Sequence, residues 1–228
     1  MTCEATWHRL EHSGYTADLE VWRGLAREFG PTVTEVGAGC GRVSASLATA
    51  GFLVTAIDVC RAYSDALRAA TPPGVQISTV LGDPMRETGL IPRGTGLVLF
   101  PLLVAELICG EHGKAEGLSM IAASVPPTSA VALSVSGLHY AHSGKREFPQ
   151  PKLSRPHSYV ASIETGDGRL LLTHERVSTT SRTQVNETLV PLTAADLESA
   201  FKRPAFALKE IPSAEGVGSS QVVVFDAH

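Results

Sequence analysis

The sequence has few cysteines, no excess of positive charge and no long hydrophobic run. No pair at CxxC spacing occurs among the four cysteines, which are Cys3, Cys40, Cys60 and Cys109. This argues against a disulfide scaffold or a structural zinc site, and it favours reduced thiols in the cytoplasm. The longest apolar run, residues 97–105, is too short to cross a bilayer, and the N-terminus lacks the apolar segment of a signal peptide, so neither a membrane partner nor secretion is expected.

The charge pattern excludes a further class of partner. The net charge is −4, and no basic tract interleaved with aromatic residues is present, which argues against a nucleic-acid substrate. Hydrophobic residues make up 43% of the 228 residues and charged residues 18%. This composition is typical of a globular domain with a substantial core.

Short apolar strands alternate with segments of helical spacing between residues 32 and 136. The alternation predicts an α/β fold built from βαβ units, with a doubly wound, Rossmann-like, mostly parallel sheet. Seven strands are expected, over residues 32–36, 53–57, 75–80, 97–100 and 130–136 and near 206–211 and 221–225.

The pattern changes after strand five. Residues 137–156 have no period and are predicted to form a loop, whereas 158–164 and 169–177 flank Thr165-Gly-Asp-Gly168, a hairpin turn signal. With residues 183–190 beside them, they form an antiparallel insertion after strand five. The insertion has three interpretations: it roofs an active site, it forms the interface of a homodimer, or its charged side chains belong to a solvated β-face. Thr193-Ala-Ala-Asp196 then predicts the capped start of a helix.

The most informative segment is Glu35-Val-Gly-Ala-Gly-Cys-Gly-Arg42, which lies where strand one passes into the next helix. Its glycines let the backbone turn sharply and approach a ligand closely. A dinucleotide-binding turn has the pattern G-x-G-x-x-G, but the third glycine is replaced by Arg42 in one register and by Ser44 in the other. The observed G-x-G-x-G pattern suits a ligand that has a ribose and an amino-acid tail but no phosphate.

Three acidic residues suit the parts of such a ligand. Glu35 can hold an ammonium group, either directly or through water. Asp58 ends strand two, 21 residues after Gly37, where a carboxylate can accept hydrogen bonds from both ribose hydroxyls. Asp83 follows Gly82 after strand three and is placed to meet an adenine amino group.

These motifs resemble those of the class I S-adenosylmethionine-dependent methyltransferases. Two further segments, Gly14-Tyr-Thr-Ala-Asp-Leu-Glu-Val-Trp22 and Glu215-Gly-Val-Gly-Ser219, are similar to an actinobacterial group of small-molecule methyltransferases. The resemblance implies S-adenosyl-L-methionine as cofactor, bound along the glycine turn. The residues expected to contact it are Tyr15, Glu35, Gly37, Ala38, Gly39, Asp58, Val59, Gly82, Asp83, Pro84 and Phe100. The chain departs from this group at Pro101-Leu-Leu-Val104, where a polar segment is usual, and at Pro126-Pro-Thr128.

A single methyltransferase-like domain over residues 1–228 is therefore expected. It would comprise an N-terminal lid and helix (1–30), a cofactor-binding core (31–136), the loop and antiparallel insertion (137–190), and the C-terminal helix with the last strands (191–228).

The acceptor pocket is expected where the lid, the end of strand four and the loop after strand five meet. The methyl group of a sulfonium is already activated, so the protein mainly aligns the reactants and excludes water, and a base is needed only for a protonated acceptor. His139 and Tyr15 are the candidate catalytic residues, with His139 as the base. Trp7, Leu102, Tyr140 and His142 are the candidate substrate-binding residues. A solvated loop is an equal explanation for the two histidines.

Several alternatives stay open at this stage. The expected function is methyl transfer to a small molecule, with secondary metabolism as the setting. A second hypothesis is transfer or cyclisation of the aminocarboxypropyl arm, which releases methylthioadenosine, and a third is a non-catalytic nucleoside-binding protein. His8-Arg-Leu-Glu-His12 matches an inverted zinc-protease signature, but no third ligand is identifiable, so no metal is expected. Glu106 is either a helix-surface residue or a pocket acid.

Overall fold

The computed structural model describes residues 3–12, 14–136, 145–147, 158–166, 168–202, 205–211 and 220–227. Helices and strands alternate in the first part of the chain, as α1 (Cys3–His12), α2 (Leu19–Phe29), β1 (Thr32–Val36), α3 (Arg42–Thr49), β2 (Leu53–Asp58), α4 (Arg61–Ala70), β3 (Ile77–Leu81), β4 (Leu97–Phe100), α5 (Val104–His112), α6 (Lys114–Ser124) and β5 (Ala130–Val135). The second part contains β6 (Lys145–Glu147), β7 (Ser158–Gly166), β8 (Arg169–Val177), β9 (Arg182–Leu189), α7 (Ala194–Phe201), β10 (Ala207–Ile211) and β11 (Ser220–Phe225).

The main sheet has seven strands in the order β10-β11-β5-β4-β1-β2-β3. β11 is antiparallel to both of its neighbours, β10 and β5. The strands β5, β4, β1, β2 and β3 run parallel to one another. This confirms the predicted seven-stranded, mostly parallel sheet. The order reverses at β1, which pairs with β2 on one side and β4 on the other, so that a crevice forms beyond the carboxyl ends of these strands.

The centre of the sheet is apolar on both faces. Every residue of β4 and β5 is buried, which is typical of parallel strands that are covered by helices on both sides. One core cluster packs around Trp22, Leu25 and Leu47, and the other packs around Phe100 and Ile121. The rigid centre holds the strand ends at the crevice in fixed positions.

The second sheet confirms the predicted antiparallel insertion and has the order β6-β7-β8-β9. The prediction of a loop over residues 137–156 is wrong at Lys145–Glu147. These residues form β6, which is antiparallel to β7, with Lys145 opposite Glu164 and Glu147 opposite Ser162. These three residues are polar and pair through their backbones, so no hydrophobic alternation could have marked them. The rest of that loop lies outside the described residues.

The second sheet is anchored on α5 by apolar side chains. Ile163, Leu170, Leu172 and Leu189 form a small buried cluster that packs against Leu103 and Leu107. Gly110 allows β9 to approach closely, because a Cβ at this position would lie 1.8 Å from the carbonyl oxygen of Thr188. Since α5 begins just after β4, this packing places the second sheet over the crevice, which agrees with the interpretation of the insertion as a roof. The alternative of a homodimer interface stays a prediction.

The final helix, α7, begins with the predicted capping box. The Thr193 side chain accepts from the amide of Asp196, and the Asp196 carboxylate accepts from the amide of Thr193 at 2.8 Å. Over the described ranges, none of the helices has the length and apolar character needed to span a membrane.

Candidate active site

A cavity of about 820 Å³ opens at the carboxyl edge of the parallel strands. Its floor is formed by the glycine turn and the ends of β2 and β3, its roof by α1 and the second sheet, and its side by α5. Small-molecule sites usually measure about 300–1,000 Å³, so this volume has room for a nucleoside cofactor together with a small acceptor.

The glycine turn has a backbone conformation that favours glycine. Gly37 and Gly39 have φ angles of +70° and +55°, in the left-handed region that residues with a Cβ rarely adopt. A Cβ on Gly37 would also lie 2.6 Å from Cγ2 of Val104. The amide of Ala38 donates to the carbonyl of Ile57 at 3.0 Å, which fixes the turn beside β2.

The Asp58 carboxylate holds this turn from the end of β2. Its Oδ2 accepts from the amide of Gly39 and its Oδ1 from the amide of Cys60, each at 2.7 Å. Burial raises the pKa of Asp58, and these two hydrogen bonds act in the opposite direction. Each carboxylate oxygen keeps a further acceptor position, so the ribose contact implied for Asp58 stays a prediction, with a structural role beside it.

Glu35 lies on the floor of the cavity and is almost completely buried. The Ser44 hydroxyl donates to its Oε2. Burial is the largest influence on this group and raises the pKa of Glu35 to about 7. A buried carboxylate of this kind is stabilised in its charged form when a cation lies beside it, so the residue fits an ammonium group.

Arg42 replaces the third glycine of a dinucleotide-binding turn, and the structure gives it a specific partner. Its guanidinium contacts both carboxylate oxygens of Asp18, at 2.5 and 2.7 Å, and donates to the carbonyl of Tyr15 at 3.0 Å. The indole of Trp22 donates to the same Asp18 carboxylate at 2.8 Å. The Tyr15 ring lies under the guanidinium, with its centroid at 5.1 Å, and lines the cavity. These contacts fasten the segment before α2 to the glycine turn, and their only sequence signal is the unexpected charge at Arg42.

The expected adenine side of the site also lines the cavity. Val59, Gly82, Asp83 and Pro84 all border it, as do Ala38 and Leu102 from the glycine turn and the end of β4. Asp83 Oδ1 accepts from the amide of Met85 at 2.9 Å, and its Oδ2 lies 3.2 Å from Nε of Arg86. Leu102 has a φ angle of +51°, so the chain bends sharply at the position where the methyltransferase group usually has a polar segment.

Two of the expected contact residues do not line the cavity. Phe100 is completely buried in the core below the sheet edge, because every residue of β4 packs between the helical layers. Trp7 is also buried, at 3% exposure. The expected contacts of both residues therefore have no support from the cavity lining. His139, Tyr140 and His142 lie outside the described residues, and their roles stay predictions.

The roof of the cavity brings together titratable residues of the zinc-protease pattern and of the antiparallel insertion, which no sequence pattern connects. His8, Glu11 and His12 project from α1, and Tyr159, His174 and Glu187 project from the second sheet. Burial lowers the pKa of His8 to about 4 and that of His12 to about 3. Both imidazoles are therefore neutral at physiological pH.

The zinc-protease pattern on α1 has a different explanation. Arg176 donates to both carboxylate oxygens of Glu11, at 2.5 and 2.7 Å. In the portion of the chain that the structure describes, no three His, Cys, Asp or Glu side chains are grouped so that they could hold a metal. The pattern instead reflects two histidines at the cavity and an acid that ties α1 to β8.

Glu106 meets neither expectation. It is buried, its Oε1 accepts from the Ser136 hydroxyl at 2.8 Å and from the Leu192 amide at 3.5 Å, and it does not line the cavity. Burial raises the pKa of Glu106 to about 7. This side chain links α5 to the end of β5 and to the segment before α7.

Comparison with solved structures defines the fold class. The chain is similar to the CcbJ methyltransferase from Streptomyces caelestis, with a TM-score of 0.72, 16% identity, and coverage of 95% of this chain and 98% of that chain. It is also similar to the S-adenosylmethionine-bound CalS10, an amino pentose methyltransferase from Micromonospora echinaspora, with a TM-score of 0.62, 13% identity, and coverage of 98% of this chain and 97% of that chain. The sugar N-methyltransferase KedS8 from Streptoalloteichus sp. is similar as well, with a TM-score of 0.62, 14% identity, and coverage of 92% of this chain and 87% of that chain.

The chain therefore has the fold of S-adenosylmethionine-dependent methyltransferases over nearly its whole length. The resemblance inferred from the glycine turn is confirmed at the level of the fold. No family model and no curated protein matches the sequence.

Proposed function

We propose that this protein is an S-adenosylmethionine-dependent methyltransferase that acts on a small molecule. The observation that carries the proposal is the G-x-G-x-G turn, held by Asp58 and opening onto a cavity whose floor contains the buried carboxylate of Glu35. The cofactor supplies an activated methyl group on a sulfonium. Glu35 would bind its ammonium group, Asp58 its ribose, and the Gly82–Pro84 segment its adenine.

The charges around the cavity support a cationic ligand. Of the carboxylates among the described lining residues, Glu11 is paired with Arg176, and Asp83 and Glu111 are paired with Arg86. The guanidinium of Arg42 in the same lining is paired with Asp18. Glu35, Asp58 and Glu187 therefore supply the remaining negative charge. Such a lining favours a sulfonium and an amine over an anionic acceptor. Among the structurally similar proteins, CalS10 is an amino pentose methyltransferase and KedS8 is a sugar N-methyltransferase. We therefore propose an amino group on a small molecule as the methyl acceptor.

Cofactor binding is the first test. We expect adenosylhomocysteine to bind with micromolar affinity, about −7 to −9 kcal/mol, and to raise the melting temperature. NAD is the control, because its pyrophosphate has no matching glycine turn. Tighter binding of NAD than of adenosylhomocysteine in calorimetry would contradict the proposal.

Product analysis is the second test. Incubation with S-adenosylmethionine and a set of primary amines, including aminodeoxy sugars, should release adenosylhomocysteine and an N-methylated amine. Release of methylthioadenosine would instead indicate transfer or cyclisation of the aminocarboxypropyl arm. Binding of the nucleoside without any turnover would favour the non-catalytic alternative.

The cellular setting is proposed on narrower grounds. Among the described residues, Cys40, Cys60 and Cys109 are free thiols. Free thiols are typical of a reducing compartment, and we propose a cytoplasmic location on this basis.

A further inference from the structure

Three polar side chains form a continuous chain across one face of the second sheet. Tyr159 Oη lies 2.5 Å from His174 Nδ1, and His174 Nε2 lies 3.2 Å from Glu187 Oε2. The side chains come from β7, β8 and β9 in turn, and all three line the cavity. We call this set the roof relay.

The register of the strands explains how the relay forms. Tyr159 lies opposite Arg176, and Glu187 lies opposite Leu172, each two residues from His174 along β8. Residues two apart share a face of a strand, so Tyr159 and Glu187 reach His174 diagonally from the two neighbouring strands. On the same face, Leu170 and Leu172 pack onto Leu103 and Leu107. This packing keeps the polar end of the face over the cavity.

The hydrogen-bonding capacities of the three groups give the relay a direction. An ionised Glu187 carboxylate only accepts, so Nε2 of a neutral His174 carries the proton and donates to it. Nδ1 is then an acceptor, and the Tyr159 hydroxyl donates to it. A proton that leaves Tyr159 therefore has an acceptor already in hydrogen-bond contact.

We propose that the roof relay takes up the proton released by the methyl acceptor, with Tyr159 and His174 as catalytic residues and Glu187 as a positioning residue. The inference rests on the proposed function. As the acceptor nitrogen bonds to the methyl carbon, the carbon–sulfur bond breaks and its electron pair stays on sulfur. The proton of the acceptor passes to Tyr159 Oη, and the hydroxyl proton of Tyr159 passes to His174 Nδ1. His174 becomes an imidazolium beside Glu187.

The surroundings of the relay favour a coupled transfer over a standing phenolate. Burial, followed by the nearby Glu11 carboxylate, raises the pKa of Tyr159, so its hydroxyl loses a proton only when it receives another. The charged groups near the relay are Glu187, Glu11 and Arg176, which all act on Tyr159. Arg176 is itself paired with Glu11, and His12 faces the relay from α1 as a neutral ring.

The first experiment measures the tautomer of His174 and does not depend on turnover. The protein is labelled with ¹⁵N-histidine and loaded with adenosylhomocysteine, and the His174 signals are assigned by their loss in His174→Gln. We expect the proton on Nε2 and a hydrogen-bonded, unprotonated Nδ1 whose signal shifts in Tyr159→Phe. A proton on Nδ1 in the neutral ring would overturn the proposal, because that nitrogen could not then receive a proton from Tyr159.

The second experiment measures turnover of aminodeoxy sugars and other primary amines. Tyr159→Phe should lower kcat about 100-fold or more, with little change in the dissociation constant of adenosylhomocysteine. Glu187→Gln should move the acid limb of the kcat/KM profile to lower pH, because the imidazolium loses its carboxylate neighbour. Glu175→Gln is the matched control, since Glu175 lies on the opposite face of β8 and pairs with Arg182 at 3.6 Å. Its acid limb should match that of the wild type.

The outcomes separate the relay from the function on which it rests. A kcat of Tyr159→Phe within a few-fold of the wild type, or an acid limb that does not move in Glu187→Gln, would overturn the relay alone. If the wild-type protein does not bind adenosylhomocysteine, the proposed function is contradicted. If Tyr159→Phe does not fold, the tautomer of the wild-type protein still decides the direction of the relay.

Discussion

Asp58 holds the glycine turn in place and is also the residue expected to bind the ribose of the cofactor. Its carboxylate accepts hydrogen bonds from two backbone amides, that of Gly39 in the glycine turn and that of Cys60 before α4. Asp58→Ala should therefore weaken adenosylhomocysteine binding at least tenfold and also lower the melting temperature, because hydrogen bonds to a charged acceptor contribute about 1.5–3 kcal/mol each. Calorimetry and thermal unfolding measure the two effects.

The control for Asp58 is Asp65→Ala. Asp65 lies on α4 and makes an exposed pair with Arg68, so both the affinity and the melting temperature should stay close to wild type. A lower melting temperature with unchanged affinity in Asp58→Ala would show that its carboxylate has a structural role only.

Glu35 gives the site a specific pH dependence. The pKa of Glu35 is about 7 in the folded state, and its usual value is 4.5. Between pH 4.5 and pH 7 the carboxyl group therefore keeps its proton in the folded state and loses it in the unfolded state. The free energy of unfolding therefore falls as pH rises through this window. Relative to wild type, Glu35→Gln should gain up to about 3 kcal/mol in unfolding free energy between pH 4.5 and 7.

Ligand binding distinguishes Glu35 from the other buried acid. Adenosylhomocysteine should bind wild type more tightly as pH rises through about 7, because the ionised carboxylate attracts the ammonium group. Glu35→Gln should remove this dependence. Glu106→Gln is the matched control, since Glu106 has a similarly raised pKa but does not line the cavity. A pH dependence of binding that survives in Glu35→Gln would contradict the ammonium contact.

At the scale of elements, the buried pair of Glu11 and Arg176 fastens α1 to β8. Glu11→Ala would leave the Arg176 guanidinium buried without this carboxylate, at an expected cost of about 3–5 kcal/mol. The double variant Glu11→Ala/Arg176→Met should recover part of this loss, because the stranded charge is also removed. Denaturant unfolding of both variants tests this.

The surface pair of Glu20 and Arg23 on α2 supplies the comparison. Glu20 is largely exposed, so Glu20→Ala should change the unfolding free energy by no more than about 1 kcal/mol. Equal losses in Glu11→Ala and Glu20→Ala would mean that the tie between α1 and β8 contributes little to docking of the helix.

On the scale of the whole molecule, the cavity is built from parts of the chain that are distant in sequence. α1, the glycine turn, α5 and the second sheet all line it. Adenosylhomocysteine should therefore slow amide hydrogen exchange in the glycine turn and in α1, because binding stabilises the closed arrangement of these elements. Exchange in α7, which does not line the cavity, should change least. Protection confined to the glycine turn would show that the roof is independent of the cofactor.

Local sequence patterns were sufficient to predict the parts of the fold that depend on neighbouring residues. The bounds of β4 follow from an unbroken apolar run, the hairpin of β7 and β8 from its turn residues, and the start of α7 from its capping box. The glycine turn and Asp58 were also found in this way, because a tight turn and a strand end have fixed spacings along the chain. These features are set by neighbouring residues, so periodicity and turn chemistry reveal them.

Contacts between side chains that are distant in sequence could not be predicted in this way and are seen only in the folded molecule. Glu11 and Arg176 are 165 residues apart in sequence, and Arg42 meets Asp18 only because α2 docks beside the glycine turn. Tyr159, His174 and Glu187 come together through the register of three strands, and Phe100 is buried because its strand lies between two helical layers. Partners of this kind depend on how separate elements pack, and no local pattern records that packing.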